Sequence, residues 1–442
     1  MSNYKPRGSK SGVLIGCPWR VALGVMATAW CAASAADWPQ FHGPSRDNTS
    51  PETGLARTWP AGGPKVLWTF KLGNGYGGPA VAAGKVYLLD RVESKQEVLR
   101  CLDLGTGEEE WHVAYDAPGK ASYEGSRSTP SVDDKYVFTV GEMGDVCCFD
   151  KATRAIVWQK NLLKEYGGVL PMWACSQSPL VCKDFVVLAP QGRRACLVAL
   201  EKAAGKEIWK SEPMGNMQYS SPMLATIDGM EQVVMMTYFK SNDKANRPST
   251  HTVVVFGADP SDGKTLWTYT GWSCYLAIVT PAAVGDGRFF IMSGYNDGCA
   301  MFQVKRSDGK WTAAELFKNT VADGYLHDGI AYKGYLYVNG NSLQKPKNGL
   351  MCLTLEGKVK WNTGNDPGID MGNLVLADGL LYVMNGAAGT LYLVEPSPEG
   401  YKELARAKVL EAKGKQVWAP MAISGGKLLC RDLTELKCLA IK

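Results

Sequence analysis

One pattern returns along this chain at fixed spacing. An apolar residue and an acid are followed by a turn and then a tryptophan. The copies run Leu102-Asp103 to Trp111, Phe149-Asp150 to Trp158, Leu200-Glu201 to Trp209 and Ala258-Asp259 to Trp267. Acid and tryptophan stand eight residues apart in all four. Such self-similarity marks an architecture in which one supersecondary unit recurs and stacks on its copies. Each part of the unit has a physical task. The turn joins two antiparallel strands, and glycine there tolerates the positive φ of a tight hairpin. The acid accepts hydrogen bonds from turn amides, and the tryptophan offers a broad apolar plate to a neighbouring unit.

A second pattern precedes each copy: a small residue, a proline, a short apolar strand, a turn and another strand. Gly78-Pro79, Thr129-Pro130, Ser178-Pro179, Ser221-Pro222, Thr280-Pro281 and Ala419-Pro420 open it. Two patterns of two strands make a four-stranded sheet. The complete units are 75–115, 125–162, 175–213, 219–271, 277–319, 323–364 and 371–411. The last stretch, 417–442, has only three strand signals, while Val66-Leu67-Trp68-Thr69-Phe70-Lys71 has the tryptophan-strand pattern and no unit of its own. Joining the two ends predicts an all-β, eight-bladed β-propeller of four-stranded antiparallel blades, because a closed ring leaves no free sheet edge. Seven blades is the alternative. Three copies depart from the pattern: 277–319 turns at Ser307-Asp308-Gly309, 371–411 lacks its tryptophan, and 219–271 carries a polar insertion, Lys240 to Ser249.

The first 36 residues read as a signal peptide, with Lys5, Arg7, Lys10 and Arg20 ahead of a small, apolar stretch, Val21 to Ala36, ending Ala33-Ser34-Ala35-Ala36. Residues 37–63 form a lead-in and 64–442 the propeller. The expectation is an exported protein, periplasmic or secreted, whose mature chain has no transmembrane span. The leader holds four of the 48 basic residues and no acid, so the remainder is close to neutral. That argues against nucleic acid as a partner. Of 13 cysteines, Cys101, Cys148, Cys352 and Cys438 share one repeat register, which reads as a small buried hydrophobe rather than a disulfide framework.

The Leu-Asp-x-x-Thr-Gly-x-x-x-Trp unit with its Ser/Thr-Pro strand resembles the pyrroloquinoline-quinone (PQQ) propeller repeat. That repeat occurs in quinoprotein alcohol dehydrogenases and in BamB-like outer-membrane assembly proteins, which have the fold without the cofactor. The resemblance covers roughly residues 64–442. It implies two functions. One is a binding or scaffold module of the cell envelope for a protein, peptide or glycan. The other is an alcohol or sugar dehydrogenase dependent on PQQ and Ca²⁺.

The loops leading into each first strand converge on the ring axis, so they carry the candidates: Arg127, Trp173, Gln177, Tyr219, Trp272, His327, Asp328, Asn373 and Trp418. In the dehydrogenase reading a tryptophan stacks on the quinone, Asp370 and Asn373 hold Ca²⁺, Asp328 is the base and Arg127 the cation. In the binding reading the same residues are polar and aromatic lining. The vicinal Cys147-Cys148 pair falls inside a strand register, unlike the loop cysteine pair of the dehydrogenases. Four scattered histidines and the lack of a phosphate loop, nucleophile elbow or zinc motif leave other chemistries unsupported.

Overall fold

A computed structural model describes residues 36–216, 218–239, 251–324, 326–340, 348–369, 371–415 and 417–442. Residues 1–35 of the segment 1–36 expected to be a signal peptide, and the insertion Lys240 to Ser249, lie outside the described residues. The strands form eight antiparallel four-stranded sheets, two of them extended by a short extra strand. Blades 1 to 7 follow chain order, with first strands at Ala80–Ala82, Ser131–Val132, Leu180–Cys182, Met223–Ile227, Ala282–Gly285, Ile330–Tyr332 and Leu374–Ala377. Blade 8 is built from Ala422–Ser424, Lys427–Arg431 and Glu435–Ala440, and its outer strand is Val66–Lys71. Trp68 faces Cys438 across that junction. The ring therefore closes by joining the two ends of the propeller, as the sequence predicts.

The recurring tryptophan and glycine meet across blade boundaries. Trp68 Nε1 of blade 8 donates to Leu104 O of blade 1 (3.0 Å), Trp158 to Lys202 O (2.8 Å) and Trp209 to Pro260 O (2.8 Å). Beneath each ring lies a turn glycine of the next blade. A Cβ on Gly263, at φ 74°, would sit 2.4 Å from Trp209. Glycine is required there by both the left-handed backbone and the approaching indole. The preceding acid caps the same kind of turn: Asp103 Oδ1 accepts from the amides of Gly105 and Thr106, and Asp150 Oδ1 from those of Ala152 and Thr153. One short sequence unit thus makes a turn, a cap and an intersheet seam.

The small residue before each first strand has a different task. Two positions ahead of that strand, the Thr129 amide donates to Ser178 Oγ (3.0 Å), the Ser178 amide to Ser221 Oγ (2.9 Å) and the Ser221 amide to Thr280 Oγ1 (3.3 Å). The Thr280 amide continues to Asp328 Oδ1 (2.8 Å). Blades 2 to 6 are tied by this belt of hydrogen bonds close to the axis. A hydroxyl or carboxylate serves at each step because the acceptor is a side-chain oxygen.

Residues 37–57 form a strap across the end of the ring where first strands turn into second ones. Trp38 bridges to Val81, Asp37 accepts the Ala83 amide, and Pro39 O accepts the Val132 amide. Further on, Thr49–Ser50 pairs in parallel with blade 7, and Glu52 accepts the amides of Gly425 and Gly426 in blade 8. Tight turns carry the strap: Gly43 has φ 83°, and a Cβ there would meet the Trp38 ring at 3.0 Å. Trp38 and Leu55 join the apolar core shared by blades 7, 8 and 1. Arg46 is 4% exposed, and its guanidinium donates to Pro179 O and Pro222 O. Burial pulls its pKa down to about 9.

All eleven described cysteines are buried and unpaired. Cys147 and Cys148 occupy the third strand of blade 2, Asp145–Asp150, as their register implies.

Candidate functional site: an aromatic cup on the ring axis

The loops leading into the first strands enclose a cup of about 170 Å³. Its wall repeats with the blades. Four residues ahead of the first strand stand Tyr76, Arg127, Ser176, Tyr219, Ile278, Leu326 and Trp418, one from each of seven blades, and all line the cup. The belt residues lie two positions further on, so these loops give one side chain to the cup and a later one to the belt. Phe41 reaches the cup from the strap.

Aromatic pairs dominate the wall. Trp418 stacks on Tyr76 with ring centroids 5.4 Å apart and lies 5.8 Å from Tyr123. Trp173 packs on Tyr219 at 5.5 Å, and its amide donates to the Tyr219 hydroxyl. The Arg127 guanidinium sits 5.5 Å over Tyr76, a cation–π contact. Its N–H groups donate to Gly125 O (2.7 Å), Ser122 O (3.0 Å), Tyr123 O and Glu142 (3.1 Å). Glu142 is shared with Arg91, which also pairs with Glu97, so two arginines and two glutamates form a buried network behind the cup. Burial pulls the Arg127 pKa down against the opposing charge of Glu142.

His327 lines the cup at 6% exposure. Its Nδ1 lies 3.3 Å from Asn373 Nδ2, and Asn373 Oδ1 accepts the Met421 amide. The amide nitrogen is a donor, so Nδ1 accepts and the imidazole proton sits on Nε2. Burial pushes the imidazole down to about 3, which keeps it neutral. Both His327 Nε2 and Trp418 Nε1 are buried and have no hydrogen-bond partner among the described residues.

Of the residues nominated from sequence, Arg127, Trp173, Tyr219, His327 and Trp418 come together in the cup. Gln177, Trp272, Asp328 and Asn373 do not line it. Gln177 clips both polar groups of Ala189, and Trp272 is buried in the core with Nε1 donating to Asp297 O. Asp328 belongs to the belt and touches His42 of the strap. Asp370 lies outside the described residues. Sequence reading missed Phe41, Tyr76, Tyr123 and Ser176. The shared position four residues before each first strand, already occupied by Arg127, Tyr219 and Trp418, is the signal that finds Tyr76 and Ser176.

Residues 94–398 match the family described as outer membrane protein assembly factor BamB. The chain belongs to this family. No curated protein matches its sequence. Among solved structures, the BamB of Moraxella catarrhalis is similar at 14% identity and TM-score 0.55, over 86% of this chain and 98% of that one. The quinohemoprotein alcohol dehydrogenase of Comamonas testosteroni is similar at 13% identity and TM-score 0.60, over 92% and 80%. A computationally designed protein, Ika8, is similar at 13% identity and TM-score 0.51, over 86% and 100%. A BamB, an alcohol dehydrogenase and a design share one ring at this identity, so the likeness establishes fold, and function rests on the site.

Proposed function

We propose that this BamB-family propeller is a binding module of the cell envelope that engages a protein, peptide or glycan through its aromatic cup. The observation that carries this reading is the division of labour among the axial residues. Aromatic faces are turned to the cup, while the nominated carboxylate, Asp328, has one oxygen on the Thr280 amide and the other against His42. The export leader read from the sequence and the family description support the envelope setting.

A Ca²⁺-bound quinone fits the described residues poorly. Ca²⁺ takes roughly six to eight oxygen ligands, largely carboxylates and carbonyls. The described cup lining contains no carboxylate or carboxamide, and the Asn373 oxygen is committed to Met421. We therefore place the dehydrogenase reading second.

The deciding experiment adds PQQ and Ca²⁺ to the purified protein and measures cofactor binding together with dye-linked oxidation of alcohols and sugars. The binding-module reading expects no turnover. Stoichiometric PQQ uptake with substrate-dependent dye reduction would overturn it.

A further inference from the structure

We infer that the outer hairpin of blade 5 is a docking finger for a membrane surface, placing its cations against the phosphate headgroups of anionic phospholipid. This goes beyond the cup and holds whatever the cup binds.

The hairpin departs from the seam that earlier blades keep. Gly107, Gly205 and Gly263 lie under Trp68, Trp158 and Trp209 of the preceding blade, where a Cβ would stand 2.4, 2.7 and 2.4 Å from the ring. The corresponding glycine of blade 5, Gly309, has open space around it. Trp267, the ring due to cover it, instead packs on Phe289 and Phe302 and donates from Nε1 to Gln232 Oε1 of its own blade (2.6 Å). The turn is thus released from the seam and carried outward. Strand Arg288–Ser293 pairs with Gly298–Ser307 only as far as Arg288 opposite Gln303. Beyond that point Lys305 with Thr312, Arg306 with Trp311 and Ser307 with Lys310 pair as a two-stranded ribbon. These rungs carry the tip on the order of 10 Å past the three-stranded part of the sheet. A bare ribbon is marginal in water. This one is held by the Arg306 amide, which donates to Asp228 Oδ2 of blade 4 (2.9 Å), and by the Arg306 guanidinium 5.5 Å over the Trp311 ring.

What the ribbon presents is charge. Residues 305–310 are all exposed and hold Lys305, Arg306 and Lys310 against a single acid, Asp308. Among the described residues none of these cations is in an ion pair. A two-residue turn is convex, so it meets a broad charged surface rather than enclosing a small ligand. Anionic headgroups attract basic residues beside a bilayer, and an indole next to those residues is at home at headgroup level. Arg306 on Trp311 supplies that pairing, with guanidinium N–H groups for phosphate oxygens. The turns between third and fourth strands stand at the end of the ring crossed by the strap, opposite the loops that form the cup. Docking by this hairpin therefore leaves the cup open.

The test sediments the purified protein with vesicles of phosphatidylcholine alone and of phosphatidylcholine mixed with phosphatidylglycerol. The expected result is binding to the mixed vesicles only, lost as salt rises to about 0.5 M. Lys305→Gln, Arg306→Gln and Lys310→Gln together should weaken it about a hundredfold. Lys120→Gln, Lys164→Gln and Arg193→Gln together, which remove exposed cations at the cup end, should leave it unchanged. Should the first triple variant fold poorly, hydrogen exchange in the unsubstituted protein decides, since mixed vesicles should slow the amides of residues 304–313. The inference is overturned by no vesicle binding, by equal binding to both vesicle types, by equal losses in the two triple variants, or by protection confined to other loops. Binding to polyglutamate without vesicle binding also overturns it and assigns the tip to an acidic protein. None of these readouts involves the cup, so the binding-module reading stands or falls separately.

Discussion

His42 Nδ1 of the strap lies 3.0 Å from Asp328 Oδ2 in blade 6, with both side chains at 6% exposure or less. The two meet in a close polar contact rather than a well-aligned hydrogen bond, since His42 Nδ1 has no hydrogen-bond partner among the described residues. Asp328 joins two systems at this point. Its other oxygen receives the Thr280 amide and ends the belt begun at Thr129, so one carboxylate holds both the ring and the segment that crosses it.

Asp328→Ala should therefore act on stability. It strands the buried Thr280 amide and removes the carboxylate that lies against His42, and we expect a loss of roughly 1–3 kcal/mol in urea unfolding. Asp328→Asn keeps an oxygen for Thr280 and should lose less. Equal stability of the alanine variant and the unsubstituted protein would contradict the belt.

The strap is anchored by Trp38, which is 1% exposed in the core shared by blades 7, 8 and 1. Trp38→Ala should cost about 3–5 kcal/mol, the usual range for deleting a buried tryptophan. Limited proteolysis should then cut within residues 37–57 faster than in the unsubstituted protein. An unchanged cleavage pattern and midpoint would mean that the strap is held by its hydrogen bonds alone.

The blade seam can be tested at Gly263. Alanine there meets both a positive φ and the Trp209 ring 2.4 Å from its Cβ, so Gly263→Ala should destabilise by more than about 1 kcal/mol. Gly229, at φ 77° with open space around it, isolates the backbone part of that cost. Thermal unfolding of the two alanine variants should place the Gly263 variant lower.

Burial pushes the Glu97 carboxyl from 4.5 up to about 7, against the lowering effects of Ser126, the Glu142 amide and Arg91. The folded protein thus binds a proton that the unfolded chain releases near 4.5. Stability from this group is complete below 4.5 and falls as pH rises through 7, by about 2–4 kcal/mol in all. Glu97→Gln should flatten that decline in denaturation curves taken between about pH 5 and 8. A slope identical in both proteins would assign the pH dependence elsewhere.

The thiols give a chemical check. Burial raises the pKa of Cys101 and Cys182 to about 11 and of Cys175, Cys299 and Cys438 to about 12. The native protein should be nearly inert to a thiol-reactive dye at about pH 8, and denaturant should expose its cysteines together. Rapid native labelling of several thiols would contradict the packing.

Some of this was legible in the sequence because a propeller is local. Asp103, Gly107 and Trp111 make their turn within one hairpin, and four copies at one offset announce the unit. The closing strand could be read as well, since Trp68 had the right pattern and blade 8 lacked a strand. The partners across blades could not. That Gly263 lies under Trp209, that Ser178 receives the Thr129 amide, and that His42 meets Asp328 are contacts between residues far apart in the chain. They exist only once eight sheets surround one axis. The same closure decides the site. Period-two alternation fixes which residue of each leading loop differs in direction from its neighbour, but curvature into a ring makes one set face inward together. Tyr76 and Trp418 become a stacked pair because the chain's two ends meet there, and that meeting is a property of the tertiary structure alone.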